Sequence, residues 1–377
     1  MTHHVDYLVL GLGGMGSSAL YHLSKRGLNV LGIEQFGAAH DRGSSHGETR
    51  IIRKAYFEHP NYIPLLQRAY ELWHDLEQTS GKTLFNQCGL MVAGPADGAV
   101  IRGVHLAEEL YDVEVENVSP TDAVERFPGF HIPDGFEVTH EPEAGFLYVE
   151  KCVQTYLESA QAQGASVCLN EQILEVKISD RSIEVTTDQQ SITADSLIVT
   201  TGAWSSGCLS ELQLPLEVVR KVLLWNPVRE PVYNLDAGRG SFFFDMPEGE
   251  FYGFPSLDGA TLKLAEHTGG ETVDDPSHVD RSLHESDVPR VSRFVEAVMP
   301  ALDPRPMRHA VCMYTRTPDG HFIVDRHPAN QRVVYGAGFS GHGFKFASVM
   351  GEILADLATT GATSLPIEFL SAERFSE

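Results

Sequence analysis

Short apolar runs alternate with amphipathic stretches near the amino terminus. Residues 5–10 and 29–33 are apolar runs of strand length, and residues 17–26 between them carry apolar side chains at helical spacing. A strand–helix–strand unit is therefore predicted, with Gly27 ending the helix and Glu34 following the second strand.

The rest of the chain divides into two kinds of pattern. Residues 61–78, 152–163 and 346–360 repeat apolar side chains every three or four positions and are predicted helices. Strands are predicted at residues 166–169, 183–187, 194–202, 321–324 and 333–335. Residues 218–267 instead alternate apolar runs with proline and glycine turns, which is typical of antiparallel strands, and residues 120–142 lack a helical period.

Length and charge narrow the class of protein. The chain has 377 residues, which favours two domains over one. Its 28 basic and 52 acidic residues give a net charge of -24, which argues against nucleic acid or an anionic membrane as a partner. No apolar run approaches the roughly 18 residues of a membrane span, and no signal peptide is recognised. The five cysteines are scattered, so we expect a cytoplasmic protein with no disulfide framework and no metal site.

The glycines after the first strand match the pattern G-x-G-x-x-G at Gly11, Gly13 and Gly16. Gly11 permits a tight turn, Gly13 lets the backbone approach a pyrophosphate, and Gly16 lets helix and strand pack closely. Glu34, 23 positions after Gly11, is placed to accept hydrogen bonds from ribose hydroxyls. A dinucleotide site is predicted, although the pattern alone does not decide between NAD and FAD.

Three later features favour FAD. A hairpin returning into residues 194–202 and an apolar run ending at Asp325 resemble the second dinucleotide motif of two-dinucleotide-fold flavoproteins. Residues 336–343, GAGFSGHG, open a long helix and offer backbone N–H groups to a flavin ring.

The predicted fold is α/β, or α+β overall. A Rossmann-type FAD-binding domain of the two-dinucleotide-fold kind carries an inserted antiparallel-sheet substrate domain. The predicted FAD-binding domain is discontinuous and comprises residues 1–80, 150–215 and 305–377, and residues 81–149 and 216–304 form the predicted substrate domain.

Four segments carry a family resemblance: residues 43–53, GSSHGETRIIR; 252–255, YGFP; 310–314, AVCMY; and 338–346, GFSGHGFKF. They closely resemble the signatures of monomeric sarcosine oxidase and N-methyltryptophan oxidase. The resemblance implies an FAD held covalently by a thioether from a cysteine, and Cys312 matches that cysteine. A lone free cysteine is more often a buried core residue, but the matching flanks reverse that preference.

His46, Arg50 and Arg53 are spaced by four and three residues, so a helical turn after residues 44–45 is predicted to place them on one face. Solvated arginines are the ordinary explanation of such a stripe. The acidic chain and the two isoleucines between the arginines indicate partial burial instead.

The resemblance assigns roles to these cations. It implies that Arg53, a planar fork, and Lys345, a point charge, bind the substrate carboxylate. It also implies that His46 and Arg50 lie near the other face of the flavin, and that Tyr314 is a further substrate-binding residue.

Lys263 and His267 fall on one face of a predicted strand, a face that on an antiparallel sheet is ordinarily exposed. The resemblance implies instead that Lys263 assists oxygen activation as a fixed positive charge, and that His267 and Tyr252 line the substrate cavity. The candidate catalytic residues are therefore Lys263, His267, Tyr252, Arg50 and His46.

The full set of candidate cofactor-binding residues combines the glycine pattern with the matched segments. It comprises Gly11, Gly13, Gly14, Met15, Gly16, Glu34, Arg42, Ser45, His46, Thr49, Arg50, Gly202, Trp204, Cys312, Gly338, Gly341, His342, Gly343, Phe344 and Lys345.

The reaction implied by the resemblance is oxidation of a secondary amine. An N-methyl amino acid such as sarcosine or N-methyltryptophan becomes an imine that hydrolyses to an amino acid and an aldehyde, while O2 is reduced to H2O2. Two alternatives stay open: an FAD-dependent amine or imino-acid dehydrogenase with a non-oxygen acceptor, and a noncatalytic flavin-binding subunit. We expect a monomer whose partners are O2 and a small amine that carries a carboxylate.

Three departures from the family pattern bear on the substrate. Lys54 replaces a histidine, Glu48 replaces an aspartate, and residues 242–244 are all phenylalanine. The triplet is typical of a strand core, but it is also placed to reshape the cavity rim. Sarcosine, other N-methyl amino acids and a cyclic imino acid therefore all stay open as substrates.

Overall fold

The structure is a computed structural model that describes residues 3–179 and 182–375, apart from the side chain of residue 3. Within those ranges the strands are β1 (His3–Leu10), β2 (Val30–Glu34), β3 (Thr49–Ile52), β4 (Phe85–Asn86), β5 (Leu90–Pro95), β6 (Glu116–Val118), β7 (Phe136–Glu141), β8 (Gly145–Tyr148), β9 (Ser166–Leu169), β10 (Ile173–Ile178), β11 (Ile183–Thr187), β12 (Ser191–Val199), β13 (Glu217–Pro227), β14 (Ser241–Met246), β15 (Gly249–Gly253), β16 (Thr261–Glu266), β17 (Glu271–Thr272), β18 (Arg308–Arg316), β19 (Ile323–Arg326) and β20 (Val333–Ala337). The α-helices in the same ranges are α1 (Gly14–Lys25), α2 (Tyr62–Ser80), α3 (Ala99–Tyr111), α4 (Pro120–Arg126), α5 (Val149–Ala162), α6 (Ser205–Cys208), α7 (Pro289–Val298) and α8 (Ala347–Thr359).

The first sheet has a parallel centre. Strands β9, β2, β1, β12 and β20 are parallel neighbours in that order, and β10, β11 and β19 join the sheet by antiparallel pairing. Helix α1 packs against α5 and α8. Every residue of β2 is buried, which explains why this strand appears in the sequence as an uninterrupted apolar run.

The second sheet has nine strands in the order β17, β13, β16, β15, β14, β5, β7 and β6, with β18 paired to β13. Its pairs are antiparallel except for β5 with β14, which is parallel. A smaller sheet joins β3, β8 and β4. The predicted mixed α/β fold with a second, largely antiparallel sheet is confirmed.

Strand β18 carries Cys312 and lies in the second sheet, paired with β13 from Glu217 opposite Arg316 to Trp225 opposite Arg308. Residues 305–377 were predicted to lie wholly in the FAD-binding domain. The pairing of β18 joins segments about 90 residues apart, and such long-range pairing leaves no local signal in a sequence. The domain boundaries stay a prediction.

The long predicted helices are confirmed as α1, α2, α5 and α8, because their apolar spacing and their burial agree. Residues 120–142, whose sequence lacks a helical period, include the short helix α4. One local expectation was wrong. The helical turn predicted for His46, Arg50 and Arg53 is absent, and residues 49–52 form strand β3 paired with β8.

One large apolar core joins the two sheets. It includes Leu20 and Trp73 beside the parallel sheet and Phe243 and Tyr252 from the second sheet. A separate cluster lies between the second sheet and α7. Among the described residues, no helix combines the length and the apolar character that crossing a bilayer requires.

Candidate active site

A cavity of about 640 Å³ extends from the glycine turn after β1 to the face of the second sheet. This volume lies within the range of roughly 300–1,000 Å³ that is usual for small-molecule sites. The cavity is lined at one end by residues 11–15 and Glu34, and at the other by Arg53, Tyr314 and Lys345. Segments from both termini and from the middle of the chain therefore share one site.

The glycine turn is held by backbone contacts. The N–H of Gly11 donates to the Ile33 carbonyl at 2.9 Å, and Gly11 has a φ of 82°, which an L side chain rarely adopts. A Cβ on Gly16 would lie 1.8 Å from the Gly11 carbonyl oxygen, so helix α1 can approach the turn only with glycine there. The N–H of Gly14 donates to Ser45 Oγ at 3.0 Å, which ties the turn to the segment before β3.

Glu34 is buried at the end of β2 and faces the cavity. Its carboxylate accepts hydrogen bonds from the N–H groups of Leu12 at 2.9 Å and Phe36 at 3.1 Å, and His40 Nε2 lies 3.3 Å away. The carboxylate therefore fixes the turn itself. Its predicted contact with a ribose stays a prediction.

Arg50 links the cavity to Cys312. Its Nη2 donates to Cys312 Sγ at 3.4 Å and to the Ser44 carbonyl at 2.9 Å, and its Nη1 donates to the Thr49 carbonyl at 2.9 Å. The Cys312 thiol itself donates to the Ser44 carbonyl at 3.6 Å. The thiol is thus buried directly behind a guanidinium that faces the cavity.

Arg53 and Lys345 are buried cations that line the same end of the cavity. Arg53 Nη2 contacts both oxygens of Glu58, at 2.9 and 2.7 Å, and Lys345 Nζ donates to the His342 carbonyl at 2.8 Å. Burial lowers the pKa of Lys345 to about 7, and the nearby positive charge of Arg53 acts in the same direction. Burial alone would raise the pKa of Glu58, but Arg53, together with His342 and Lys345, holds it at about 2.

Lys263 lies behind the cavity rather than on its wall, and only 4% of it is exposed. Its ammonium donates to the carbonyls of Gly47 and Thr49 and, at 3.2 Å, to the Thr49 hydroxyl. Burial, reinforced by the positive charge of Arg50, lowers its pKa well below the ordinary value for lysine. The face on which Lys263 lies is therefore not the exposed one that an antiparallel strand ordinarily presents.

Three aromatic or imidazole side chains on or next to strands of the second sheet line the end of the cavity where Arg53 lies: Tyr252, His267 and Tyr314. The Tyr314 hydroxyl lies 3.4 Å from His267 Nδ1. Burial lowers the pKa of His267 to about 3, with smaller contributions from His342 and Lys221, and burial raises the pKa of both tyrosines. The imidazole is therefore neutral, and both phenols keep their protons.

Comparison with known proteins assigns this arrangement to a family. A family model described as FAD dependent oxidoreductase matches residues 6–357. The chain belongs to this family. The oxidoreductase is 39% identical to monomeric sarcosine oxidase of Bacillus sp. (strain NS-129) over 379 aligned positions, which cover 99% of this chain and 98% of that protein.

A second relative supports the family, and a solved structure shares the fold. The oxidoreductase is 34% identical to N-methyl-L-tryptophan oxidase of Yersinia pestis (strain Pestoides F), over 98% of this chain and 99% of that protein. Its fold matches that of NikD, an unusual amino acid oxidase essential for nikkomycin biosynthesis, with a TM-score of 0.87 at 24% identity over 98% of each chain. The family predicted from the four sequence segments is confirmed.

The cavity of the oxidoreductase fits an FAD. A Cβ on Gly13 would have the Ser45 hydroxyl 3.5 Å away as its nearest neighbour, so the backbone faces open space there. Residues 11–15 and Glu34 would hold the adenosine diphosphate portion of FAD, and Arg50 with residues 341–345 would hold the flavin ring.

Most candidate cofactor residues of the oxidoreductase line this cavity: Gly11, Gly13, Gly14, Met15, Glu34, Ser45, Arg50, Gly202, Trp204, Gly338, Gly341, His342, Gly343, Phe344 and Lys345. Gly16, Thr49 and Cys312 lie one layer behind, in the contacts described above. Arg42 does not line the cavity. Its side chain is exposed and lies 3.5 Å from the carboxylate of Asp41.

His46 also lies off the cavity wall of the oxidoreductase. It is buried, and its Nε2 has no hydrogen-bond partner within residues 3–179 and 182–375. Burial, and then the charges of Arg50 and Arg281, lower its pKa to about 3, so the ring is neutral. Proton transfer by His46 at the cavity surface has no support from this placement.

Two further parts of the chain line the cavity of the oxidoreductase without having been predicted from the sequence: Glu58 and residues 172–176. Glu58 follows Arg53 by five positions, a spacing without a recognised meaning. Residues 172–176 reach the nucleotide end only because β10 joins the first sheet. Neither contact has a signal in the sequence.

Proposed function

We propose that the protein oxidises a secondary amine, an N-methyl amino acid such as sarcosine or N-methyltryptophan, to an imine that hydrolyses to an amino acid and an aldehyde, with reduction of O2 to H2O2. The observation that carries this proposal is the presence of two buried cations, Arg53 and Lys345, in the cavity that begins at the glycine turn. A bound FAD would accept the hydride equivalent from the substrate.

Arg53 and Lys345 bind the substrate carboxylate in this proposal. Arg53 is engaged by Glu58, so a substrate carboxylate takes the place of that contact. The guanidinium also stacks 3.8 Å above the Phe57 ring, which keeps its plane fixed as its partner changes. Carboxylate binding orients the amine end toward Tyr252, Tyr314 and His267.

His267 is suited to accept a hydrogen bond from the amine, because its imidazole is neutral. Its pKa of about 3 makes it a weak base, so the amine proton leaves to solvent. Only the unprotonated amine has a free lone pair for oxidation. The phenols of Tyr252 and Tyr314 keep their protons, so they act as hydrogen-bond donors rather than bases.

Lys263 favours O2 as the acceptor. In its protonated form Lys263 carries a positive charge behind the flavin end, which stabilises the negative charge that develops on oxygen, and a water-excluded position makes that interaction strong. A dehydrogenase that passes electrons to another acceptor does not require this charge.

We propose covalent attachment of FAD through Cys312, whose thiol lies beside Arg50. We further propose a cytoplasmic monomer. The five free cysteines support the compartment, and the word monomeric in the name of the Bacillus relative supports the oligomeric state.

The deciding experiment combines acid precipitation with a peroxide assay. We expect the yellow colour to stay in the acid pellet of the wild type and to be released by Cys312→Ser, while the matched variant Cys88→Ser behaves as the wild type. N-methyl amino acids should consume O2 and release an equal amount of H2O2. Release of all pigment from the wild type would reject the covalent link, and amine oxidation without H2O2 would favour the dehydrogenase.

A further inference from the structure

A tight turn at Gly47 and Glu48 separates Lys263 from a carboxylate on helix α5. Both residues have positive φ angles, 88° and 72°. Glycine adopts such angles freely, whereas a glutamate with that backbone is strained and needs surrounding structure to hold it. A strained turn at this position needs a neighbouring group that fixes it.

Glu150 is that group. Its Oε1 accepts the N–H of Gly47 at 2.6 Å, and both its oxygens accept the N–H of Glu48, at 3.2 and 3.1 Å. The Val149 N–H, at the start of α5, donates to the Glu48 carbonyl at 2.9 Å. The turn is therefore tied to the amino-terminal end of α5, where a negative side chain is favourable.

The peptide between Gly47 and Glu48 connects Glu150 to Lys263. Its N–H donates to the Glu150 carboxylate, and its carbonyl accepts from Lys263 Nζ. Hydrogen bonds in such a chain polarise one another, and the effect is larger in a low-dielectric interior. The carboxylate and the ammonium thus interact through one peptide group without touching.

The charges around Lys263 identify Glu150 as its main counter-charge. Arg50 opposes the positive form of Lys263, whereas Glu150 and Glu48 favour it. Glu48 is already paired with Arg308. Glu150 forms no ion pair with an arginine, lysine or histidine in the described part of the chain.

We propose that Glu150 is a positioning residue that, through the Gly47–Glu48 peptide, holds Lys263 in place and in its charged form for reaction with O2. This inference rests on the proposed function of Lys263. Glu150 also fixes the Gly47 carbonyl to which the Lys263 ammonium donates. Removal of the Glu150 carboxylate therefore lowers the charged fraction of Lys263 and loosens the position of its ammonium.

Reoxidation of chemically reduced enzyme tests the proposal without any amine substrate. Holoenzyme is reduced anaerobically with dithionite and mixed with O2 across pH 6 to 10. We expect Glu150→Gln to slow reoxidation about tenfold at the alkaline end and to move the fall in rate down by about one pH unit, because an opposite charge at this range shifts a pKa by about one unit or more. Glu150→Asp, which keeps the charge, should restore part of the rate.

The protonation of Lys263 is read directly by NMR of lysines labelled at Cε, with the signal assigned by its loss in Lys263→Met. Its titration midpoint should fall in Glu150→Gln. The matched control is Glu158→Gln, on the same helix, whose exposed carboxylate pairs with Lys82 and accepts from Gln154, and it should change neither measurement.

Two results with Glu150→Gln overturn the inference. One is unchanged reoxidation and titration in a folded protein, and the other is equal slowing of amine oxidation and reoxidation with a lower melting temperature. If Lys263→Met itself reoxidises normally, the proposed role of Lys263 fails and the inference fails with it. If Lys263→Met is slow and Glu150→Gln is normal, only the inference is overturned.

Discussion

The two ends of the cavity are built in different ways. The glycine turn and Glu34 come from one stretch of 24 residues, and their contacts are made by backbone N–H groups. The substrate end collects Arg53 from the first sixth of the chain, Tyr252 and His267 from the second sheet, and Lys345 from near the carboxyl terminus.

This difference decides what each end tolerates. A backbone cradle depends on the absence of side chains, so any added atom is harmful. The substrate end depends on charges and ring volumes, so conservative substitutions should retune it without destroying it.

The sharpest test of this comparison is Gly16→Ala. The added Cβ would lie 1.8 Å from the Gly11 carbonyl oxygen and 2.5 Å from Thr200 Oγ1, so the backbone must move and the turn must open. We expect almost complete loss of bound flavin, measured as visible absorbance per polypeptide, with a lower melting temperature. Gly37→Ala is the matched control, because its Cβ would meet nothing within 4 Å, and it should retain normal flavin content. A flavin-replete Gly16→Ala protein would contradict the backbone account.

The pH dependence of carboxylate binding tests the substrate end. The pKa of Lys345 is lowered to about 7 by burial and by Arg53, so the ammonium that attracts a carboxylate is lost as pH rises through 7. The dissociation constant of propanoate, followed by flavin absorbance, should therefore increase above pH 7 by up to about tenfold per pH unit. Glu58 and His267, with pKa values of about 2 and 3, do not change charge in this range.

Lys345→Arg supplies the control for that measurement, because a guanidinium stays charged. Its affinity for propanoate should be nearly independent of pH between 6 and 9. Burial raises the pKa of Glu250 to about 7, with help from the negative charge of Glu58. A pH dependence that persisted in Lys345→Arg would assign the titration to another buried group instead. The candidates are Glu250, Glu141, whose pKa burial raises to about 7, and Lys221, whose pKa burial lowers to about 8.

The smallest effect is expected from neighbouring phenylalanines on β14. Phe243 lines the cavity, with its ring 5.2 Å from that of Phe57, whereas Phe242 faces the apolar cluster against α7. Phe243→Leu should raise kcat/KM for bulky N-methyl amino acids relative to sarcosine by about tenfold, since a methylene or two in such a pocket is worth about 1–3 kcal/mol. Phe242→Leu should leave that ratio unchanged and lower the free energy of unfolding by about 1–2 kcal/mol. Equal selectivity in the two variants would show that Phe243 does not set the pocket size.

The sequence predicts an element correctly where the burial of that element alone sets its apolar pattern. The apolar runs of β1 and β2 and the spacing in α2 and α8 gave correct elements within a few residues, because burial of a regular element imposes a period. The prediction failed at residues 46–53, where a spacing of four and three agreed with a helix. The pairing of β3 with β8 overrode that local pattern, and Ser44 and Ser45 bind the Met313 carbonyl and the Gly14 N–H instead of capping a helix.

The dinucleotide turn could be predicted from local residue types, and matched segments gave the family. A turn of this kind needs particular residue types at fixed spacing, and that requirement is local. Three contacts follow from the folded chain alone: Lys263 is buried behind the cavity, Arg53 is held by Glu58, and β18 brings Cys312 to Arg50. Each of these contacts joins atoms that chain spacing does not relate, and the energy of a charge depends on its surroundings rather than on its neighbours in sequence.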